Sequence, residues 1–247
     1  MSFHQPVSNT SPVSPKRRET MSLNMRTAIF CVLACLLFSS LPVWGEDQEK
    51  DNQILENAAK VLYEMRHGNN IQANLLAKAA CVIVLPGVEK SSIGSRESGR
   101  GPMSCRTGTD FSGHWSPPAM YSVGSVNVSP QLGNLPSDYV LLIMDQKGLD
   151  ALLNGETELG KDATAAAGPS AATEVSTIGS DILAYGRTNG PFFGVSMEGT
   201  ILEPDNGANR RLYDKDVRAR DILIQSNLTI PVTGRNFISS LSGVLHR

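Results

Sequence analysis

Aromatic side chains are scarce in this chain, 6% of its 247 residues, and charged ones make up only 19%. With 40% of residues hydrophobic, that shortage of charge excludes a solvated, disordered polymer and leaves enough apolar material for a core. Four cysteines are too few for a disulfide scaffold or for a paired Cys-x-x-Cys zinc site. No apolar run reaches the roughly 20 residues that a membrane-spanning helix needs. The histidines His67, His114 and His246 stand far apart, whereas a zinc hydrolase sets two of them one helical turn from each other. Gly-x-Ser-x-Gly, which places a nucleophilic serine on a strained turn, is missing. The stretch Gly94–Gly101 lacks the Lys-Ser/Thr ending with which a phosphate loop holds its nucleotide. These absences predict no catalytic residue, no metal and no cofactor, with a hydrolase using an unrecognised carboxylate pair as the lesser alternative.

What is present begins with an amino-terminal segment of distinct character. Residues 1–24 are rich in Pro, Ser and Thr, with a basic knot at Lys16-Arg17-Arg18, and Met21 and Met25 offer further starts. From Thr27 to Phe38 the chain is uncharged and apolar, and Val43-Trp44-Gly45 puts small residues where a signal peptidase reads them. That order is the order of a secretory signal, with cleavage expected after Gly45. As an alternative, Val32-Leu33-Ala34-Cys35 matches a lipoprotein cleavage box, and a lipid on Cys35 would anchor the chain to a membrane. The expected layout is a removable segment over 1–45, a short polar lead over 46–53 and one domain over 54–247. Its expected location is the periplasm or the exterior, or else a membrane as an anchored lipoprotein.

Removal of the segment changes the charge. Residues 1–45 hold four of the 22 basic residues and one of the 24 acidic ones, which leaves 18 and 23, a net charge of −5. An acidic domain has no global attraction for nucleic acid, so none is expected as a partner. Cys81 and Cys105 remain after cleavage. An oxidising compartment allows them to pair, while the apolar neighbours of Cys81 suit a buried free thiol at least as well.

From Ile54 to Met65 the apolar residues recur at three- and four-residue spacing, which predicts an amphipathic helix capped by Asp51 or Asn52 and ended by Gly68. A second short helix is expected over 71–80, capped by Asn70, followed by a buried strand Cys81–Leu85 closed by Pro86-Gly87. Six glycines and three prolines between 87 and 118 imply loops alternating with short strands, one of them over 103–107. Further strands are predicted over 119–128 and 139–144, a short helix over 147–153, and β-rich runs over 173–184 and 192–202 around the hairpin turn Gly186–Gly190. Helical spacing returns over 206–225, where Arg210, Arg211, Lys215, Arg218 and Arg220 interleave with Asp214, Asp216 and Asp221 as on a salt-bridged surface helix. Hairpin strands between helices argue for an α+β fold: a single domain, with a largely antiparallel twisted sheet and amino-terminal and carboxy-terminal helices packed on it. Among the carboxylates, Asp181 and Glu198 stand in apolar strand surroundings, where burial would raise their pKa and an outward position would not.

One set of motifs carries a resemblance. In order along the chain stand Trp115-Ser116-Pro117-Pro118-Ala119, Gln131-Leu132-Gly133, Asp138-Tyr139-Val140-Leu141-Leu142 and Leu159-Gly160-Lys161-Asp162-Ala163. Ala166-Ala167-Gly168-Pro169, Ala184-Tyr185-Gly186, the run Gly190–Gly199 and Asn209-Arg210-Arg211-Leu212-Tyr213 follow. In order and spacing these resemble the SYLF domain family, also described as the lipid-binding, Las-seventeen-binding actin-regulator family. The resemblance spans roughly residues 54 to 224, and the chain looks like an exported bacterial-type member. Where many members read Lys-Ala-Gly-Phe-x-x-Gly-Gly, this chain departs with Lys90-Ser91-Ser92-Ile93-Gly94-Ser95-Arg96-Glu97.

The resemblance implies a binding domain rather than an enzyme. Eukaryotic members bind phosphoinositide-containing membranes, partly through an amino-terminal amphipathic helix, and some bundle actin. Membrane lipid is accordingly the expected partner here, with an envelope protein reached through the hairpin 185–195 as the alternative. No SH3 module accompanies the motifs, so actin is not expected. The lipid contacts would fall on the helix stripe Leu55, Leu62 and Met65 with the basic Lys60 and Arg66, unless that stripe simply packs against the sheet.

Overall fold

A computed structural model describes residues 44–68, 73–90, 97–125, 135–169, 179–225 and 228–243. The stretch up to Val43 expected to hold the export signal and Cys35, the expected cap Asn70 and the motif at 131–133 lie outside the described residues. The account below concerns the unit Trp44–Arg247.

Two runs set the architecture. Cys81-Val82-Ile83-Val84-Leu85 and Tyr139-Val140-Leu141-Leu142-Ile143 are apolar at every position, so neither face of such a strand suits water. They form the centre of a sheet covered on both sides, and all ten residues are fully buried. The strands are β1 (Cys81–Lys90), β2 (Glu97–Cys105), β3 (Ala119–Ser125), β4 (Ser137–Ile143), β5 (Thr157–Glu158), β6 (Ala165–Ala167), β7 (Ile182–Arg187), β8 (Phe193–Gly194) and β9 (Ile201–Pro204). Their order across the sheet is β5-β9-β3-β2-β1-β4-β7-β6, with β8 on β7. Among the described strands the pairs are antiparallel except β6 with β7.

The helices are α1 (Trp44–His67), α2 (Ala73–Lys78), α3 (Gln146–Leu153), α4 (Asn206–Tyr213), α5 (Ala219–Gln225) and α6 (Val232–Ser242). Alternation along the strands divides the core in two. Val82, Val84, Val140, Leu142 and Tyr185 pack with Leu62 and Met65 of α1, Leu75 and Leu76 of α2, and Phe237 and Leu241 of α6. Ile83, Leu85, Leu141 and Ile143 point the other way and pack with Leu149 and Leu152 of α3 and Ile222 of α5. The expected α+β domain with terminal helices on a largely antiparallel sheet is the one observed.

Three boundaries differ from the sequence reading. Helix α1 starts at Trp44, so the stretch 46–53 is helical and Asp51 lies inside the helix instead of capping it. Its polar extension is solvated and held by local pairs, Lys50 to Glu46 at 2.9 Å and Gln53 to Glu49 at 3.3 Å. Strand β1 does not stop at Pro86-Gly87. The register shifts between Leu85 and Val88, and the irregularity absorbs both a proline that cannot donate and Gly87 at φ +60°. The basic and acidic run after 206 is two helices, broken at Asp214 in the left-handed conformation (φ 49°).

Helix α6 has no counterpart in the sequence reading. It lies against α1 and ends at Gly243, φ +74°, whose N–H returns to Ser239 O.

Candidate functional site

The helix stripe assigned to lipid contact is interior. Leu55 and Leu62 are 0% exposed and Met65 1%, all packed in the core, so in this fold they have no surface to give to a bilayer. The spacing that marks a membrane-seeking stripe is the same spacing that marks a core-facing one, and the sheet has claimed it. Arg66 is engaged as well. Its Nη1 donates to Ser240 O at 3.0 Å and Leu241 O at 2.8 Å, carbonyls at the end of α6 that lack intrahelical partners. Lys60 alone of the five is exposed at the surface, paired with Glu64 at 3.9 Å.

A different region has the properties of a site. Strand β2 ends at Cys105, which stands opposite Cys81 in the β1–β2 register with Cα atoms 4.0 Å apart, and the two sulfurs are bonded. The next residue, Arg106, pairs with Trp115 as an isolated antiparallel bridge, and residues 107–114 form the loop between them. Thr107 N donates to His114 O and Gly113 N to Thr107 O, each at 2.8 Å. Gly113 is required there, because a Cβ would stand 2.4 Å from Thr107 Oγ1 and 2.6 Å from Thr107 O.

Beside this hairpin lies a cleft of about 400 Å³. Arg106, His114 and Trp115 form one wall, and Ile230, Ile238 and Ser242, on or just before α6, form the other. The Arg106 guanidinium carbon sits 4.4 Å from the centre of the Trp115 ring, within cation–π range. Among the described residues two donors here are buried and unmet, Arg106 Nε and Trp115 Nε1. Leaving such groups unsatisfied costs about 1–3 kcal/mol each. Arg106 has only a long 3.5 Å contact from Nη1 to Gly113 O. Arg100, Arg187, Arg210, Arg211 and Arg218 each have a carboxylate within reach, whereas among the described residues Arg106 has none. A smaller cleft of about 250 Å³ lies between Tyr63, Arg66, His67 and the end of α6, but its arginine is already occupied.

The carboxylates singled out in the sequence are separate in role. Asp181 is buried, which by itself raises its pKa, but Lys147 Nζ at 2.8 Å and Thr164 N at 2.7 Å more than offset that and hold it below the ordinary value. The reading that burial would raise it failed because the strand end brings it two donors. Glu198 is exposed. Among the described residues no group of His, Cys, Asp and Glu is arranged to hold a metal ion, and no helix is long and apolar enough to cross a membrane. The hairpin once considered for protein contact is largely inside, with Tyr185, Phe192 and Val195 buried and only its tip near Asn189 exposed.

The recurring motifs hold the fold together. Ser116 Oγ accepts from Cys105 N at 3.0 Å, and Tyr213 OH donates to Pro118 O at 2.7 Å. The Asn209 amide takes Met120 N–H on Oδ1 at 2.7 Å and donates Nδ2 to Met120 O at 3.2 Å. That carbonyl also accepts from Asp205 N at 2.9 Å. Arg211 reaches back to Asp51 of α1. Trp115 is the one motif residue that also faces the cleft. Neither Arg106 nor the isoleucines show any spacing that sequence reading registers.

Fold and cleft together define an α+β domain with a ligand-sized recess, polar on one side and apolar on the other. Residues 124–244 match the Ysc84 family model, described as "Las17-binding protein actin regulator". Residues 124–244 thus carry the Ysc84 (SYLF) domain match to which the motifs pointed, and the match runs past residue 224 through α6. The chain is similar to SH3 domain-containing YSC84-like protein 1 of Bos taurus, 27% identical over 198 residues, covering 75% of this chain and 57% of the relative. The Homo sapiens protein of that name is 28% identical over 180 residues, 68% of this chain and 52% of the relative. Protein YSC84 of Saccharomyces cerevisiae is 26% identical over 182 residues, 68% and 38%. The chain thus spans about half the length of the mammalian relatives it matches. The family description names an actin regulator, which stands against the expectation that actin is not a partner.

Proposed function

We propose that the Trp44–Arg247 unit is a non-catalytic lipid-binding domain of the cell envelope, exported by the segment over 1–45. The observation that carries the reading is the division of the cleft: a guanidinium with no described carboxylate partner, stacked on the Trp115 indole, on one wall, and Ile230 and Ile238 on the other. A lipid has the same division into a charged head and an apolar body. The SYLF resemblance supports a membrane ligand. The bond between Cys81 and Cys105 suits an oxidising compartment and so supports export. With Leu55, Leu62 and Met65 committed to the core, contact with lipid falls to the cleft rather than to α1.

The test is co-sedimentation of the full chain with vesicles of phosphatidylcholine, alone and mixed with phosphatidylglycerol, at low salt. The chain is expected to pellet with vesicles; failure to pellet with either composition would overturn the reading. Mass spectrometry of the mature protein distinguishes an amino terminus at Glu46 from a lipid on Cys35.

A second reading, a protein-interaction module, is supported by the family description, which names Las17 binding and actin regulation. Co-sedimentation with filamentous actin in the absence of lipid separates the two. Pelleting with actin and not with vesicles would favour the second.

A further inference from the structure

We propose that the cleft between the Arg106–Trp115 hairpin and α6 binds a single carboxylate-headed amphiphile, a free fatty acid, with its head at Arg106 and Trp115 and its chain along Ile230 and Ile238. The proposal rests on the lipid-binding reading and narrows it from a lipid surface to one molecule held in a recess.

The donors come first. Trp115 is only 7% exposed, yet among the described residues its Nε1 has no acceptor, and neither has the buried Nε of Arg106. A guanidinium offers paired N–H donors, and these match the two oxygens of one carboxylate. Stacking on the indole fixes the guanidinium in advance, so little freedom is lost when the ligand arrives.

Charge then selects the head. Arg106 is the one permanent cation among the described residues lining the cleft, and no described carboxylate neutralises it. A carboxylate carries one negative charge and balances it. A phosphate monoester approaches two and leaves a surplus, and an alcohol leaves the guanidinium uncompensated. The apolar wall and a volume of about 400 Å³ give the chain of a small amphiphile its place.

The experiment uses the full chain carrying Trp44→Phe, which leaves Trp115 as its one tryptophan. Its fluorescence is followed during titration with decanoate, decanol and decyl phosphate, each below its micelle concentration. Decanoate is expected to give a saturable change, with decanol and decyl phosphate each about tenfold weaker or more. Arg106→Gln should abolish the decanoate response, and Arg106→Lys, which keeps the charge but not the paired donors of a guanidinium, should weaken it several-fold. A thermal melt of each variant confirms folding. Should Arg106→Gln fail to fold, Ile238→Gln on the opposite wall serves instead, with an expected loss of about tenfold. Equal binding of decanol, tighter binding of decyl phosphate, or an unchanged response in a folded Arg106→Gln would each overturn the proposal. If decanoate has no effect while vesicles still pellet the protein, the fatty-acid site falls and the lipid-binding reading stands. If both fail, both fall.

Discussion

Arg211 Nε donates to Asp51 Oδ2 at 2.8 Å across 160 positions of chain, and so joins α4 to α1. Asp51 has 1% of its side chain exposed and takes a second arginine, Arg100 Nη1, at 2.7 Å on its other oxygen. Arg100 in turn reaches Asp205 at 3.2 Å, and Asp205 Oδ1 accepts from Ala208 N to cap α4. Removing one partner of a buried ion pair costs more than the pair is worth, because it strands the others. Asp51→Ala is expected to lower the unfolding free energy by about 3 kcal/mol in urea titration. A loss below about 1 kcal/mol would show the cluster to be no more than a surface pair.

Asp181 gives a pH dependence with a definite sign. Its pKa lies below the ordinary 3.8, so the folded state gains from its charge at every pH above that value and loses the gain as acid protonates it. Asp181→Asn should cost about 2 kcal/mol at pH 7, and the difference from the parent should begin to shrink as pH falls below 3.8 and go on shrinking with further acid. Urea midpoints of both proteins between pH 7 and pH 2 check this. A difference that stays constant with pH would mean that packing, not charge, is responsible.

The bond between Cys81 and Cys105 closes a loop of sequence separation 24 at the centre of the sheet, with both residues nearly inaccessible. Chain-entropy arguments value such a closure at about 3 kcal/mol. The double substitution to alanine should lower stability by that amount, and a non-reduced digest should contain the two segments as one linked peptide. Two separate peptides would remove the bond.

Helix α1 separates packing from surface contact. Leu62→Ala is expected to cost about 3 kcal/mol through the cavity it leaves, and Lys60→Glu less than about 0.5 kcal/mol. Vesicle pelleting by a folded Leu62→Ala protein should equal that of the parent. Loss of pelleting without loss of fold would return the stripe to the membrane.

Where burial is carried by apolar residues, the sequence was readable. β4 shows as an unbroken run and α3 as the short helix over 147–153, to which the structure adds a cap at Asp145, whose side chain accepts from Gly148 N. The start of α1 was hidden because the one buried residue between 46 and 53 is a charged one, Asp51, which no hydrophobic pattern registers. α6 was hidden because Thr233, Gly234, Arg235, Asn236, Ser239 and Ser240 surround just two fully packed apolar side chains, Phe237 and Leu241. The cleft was out of reach for a further reason. Arg106 and Trp115 meet through a turn with positive φ at Gly108 and Phe111, and their opposite wall arrives from over one hundred residues later. Sequence pattern records periodicity, and this site has none.

Asn209 makes the amide of Met120 a reporter. An ordinary strand proton is released only when its neighbouring strand peels away, but this one is held by a side chain on the two-turn helix α4. The same helix keeps α1 in place through Arg211. When α4 frays, the Met120 proton meets solvent and the clamp on α1 loosens in one event. Hydrogen exchange at that single amide therefore clocks how often the first helix is let go, well before the central strands open.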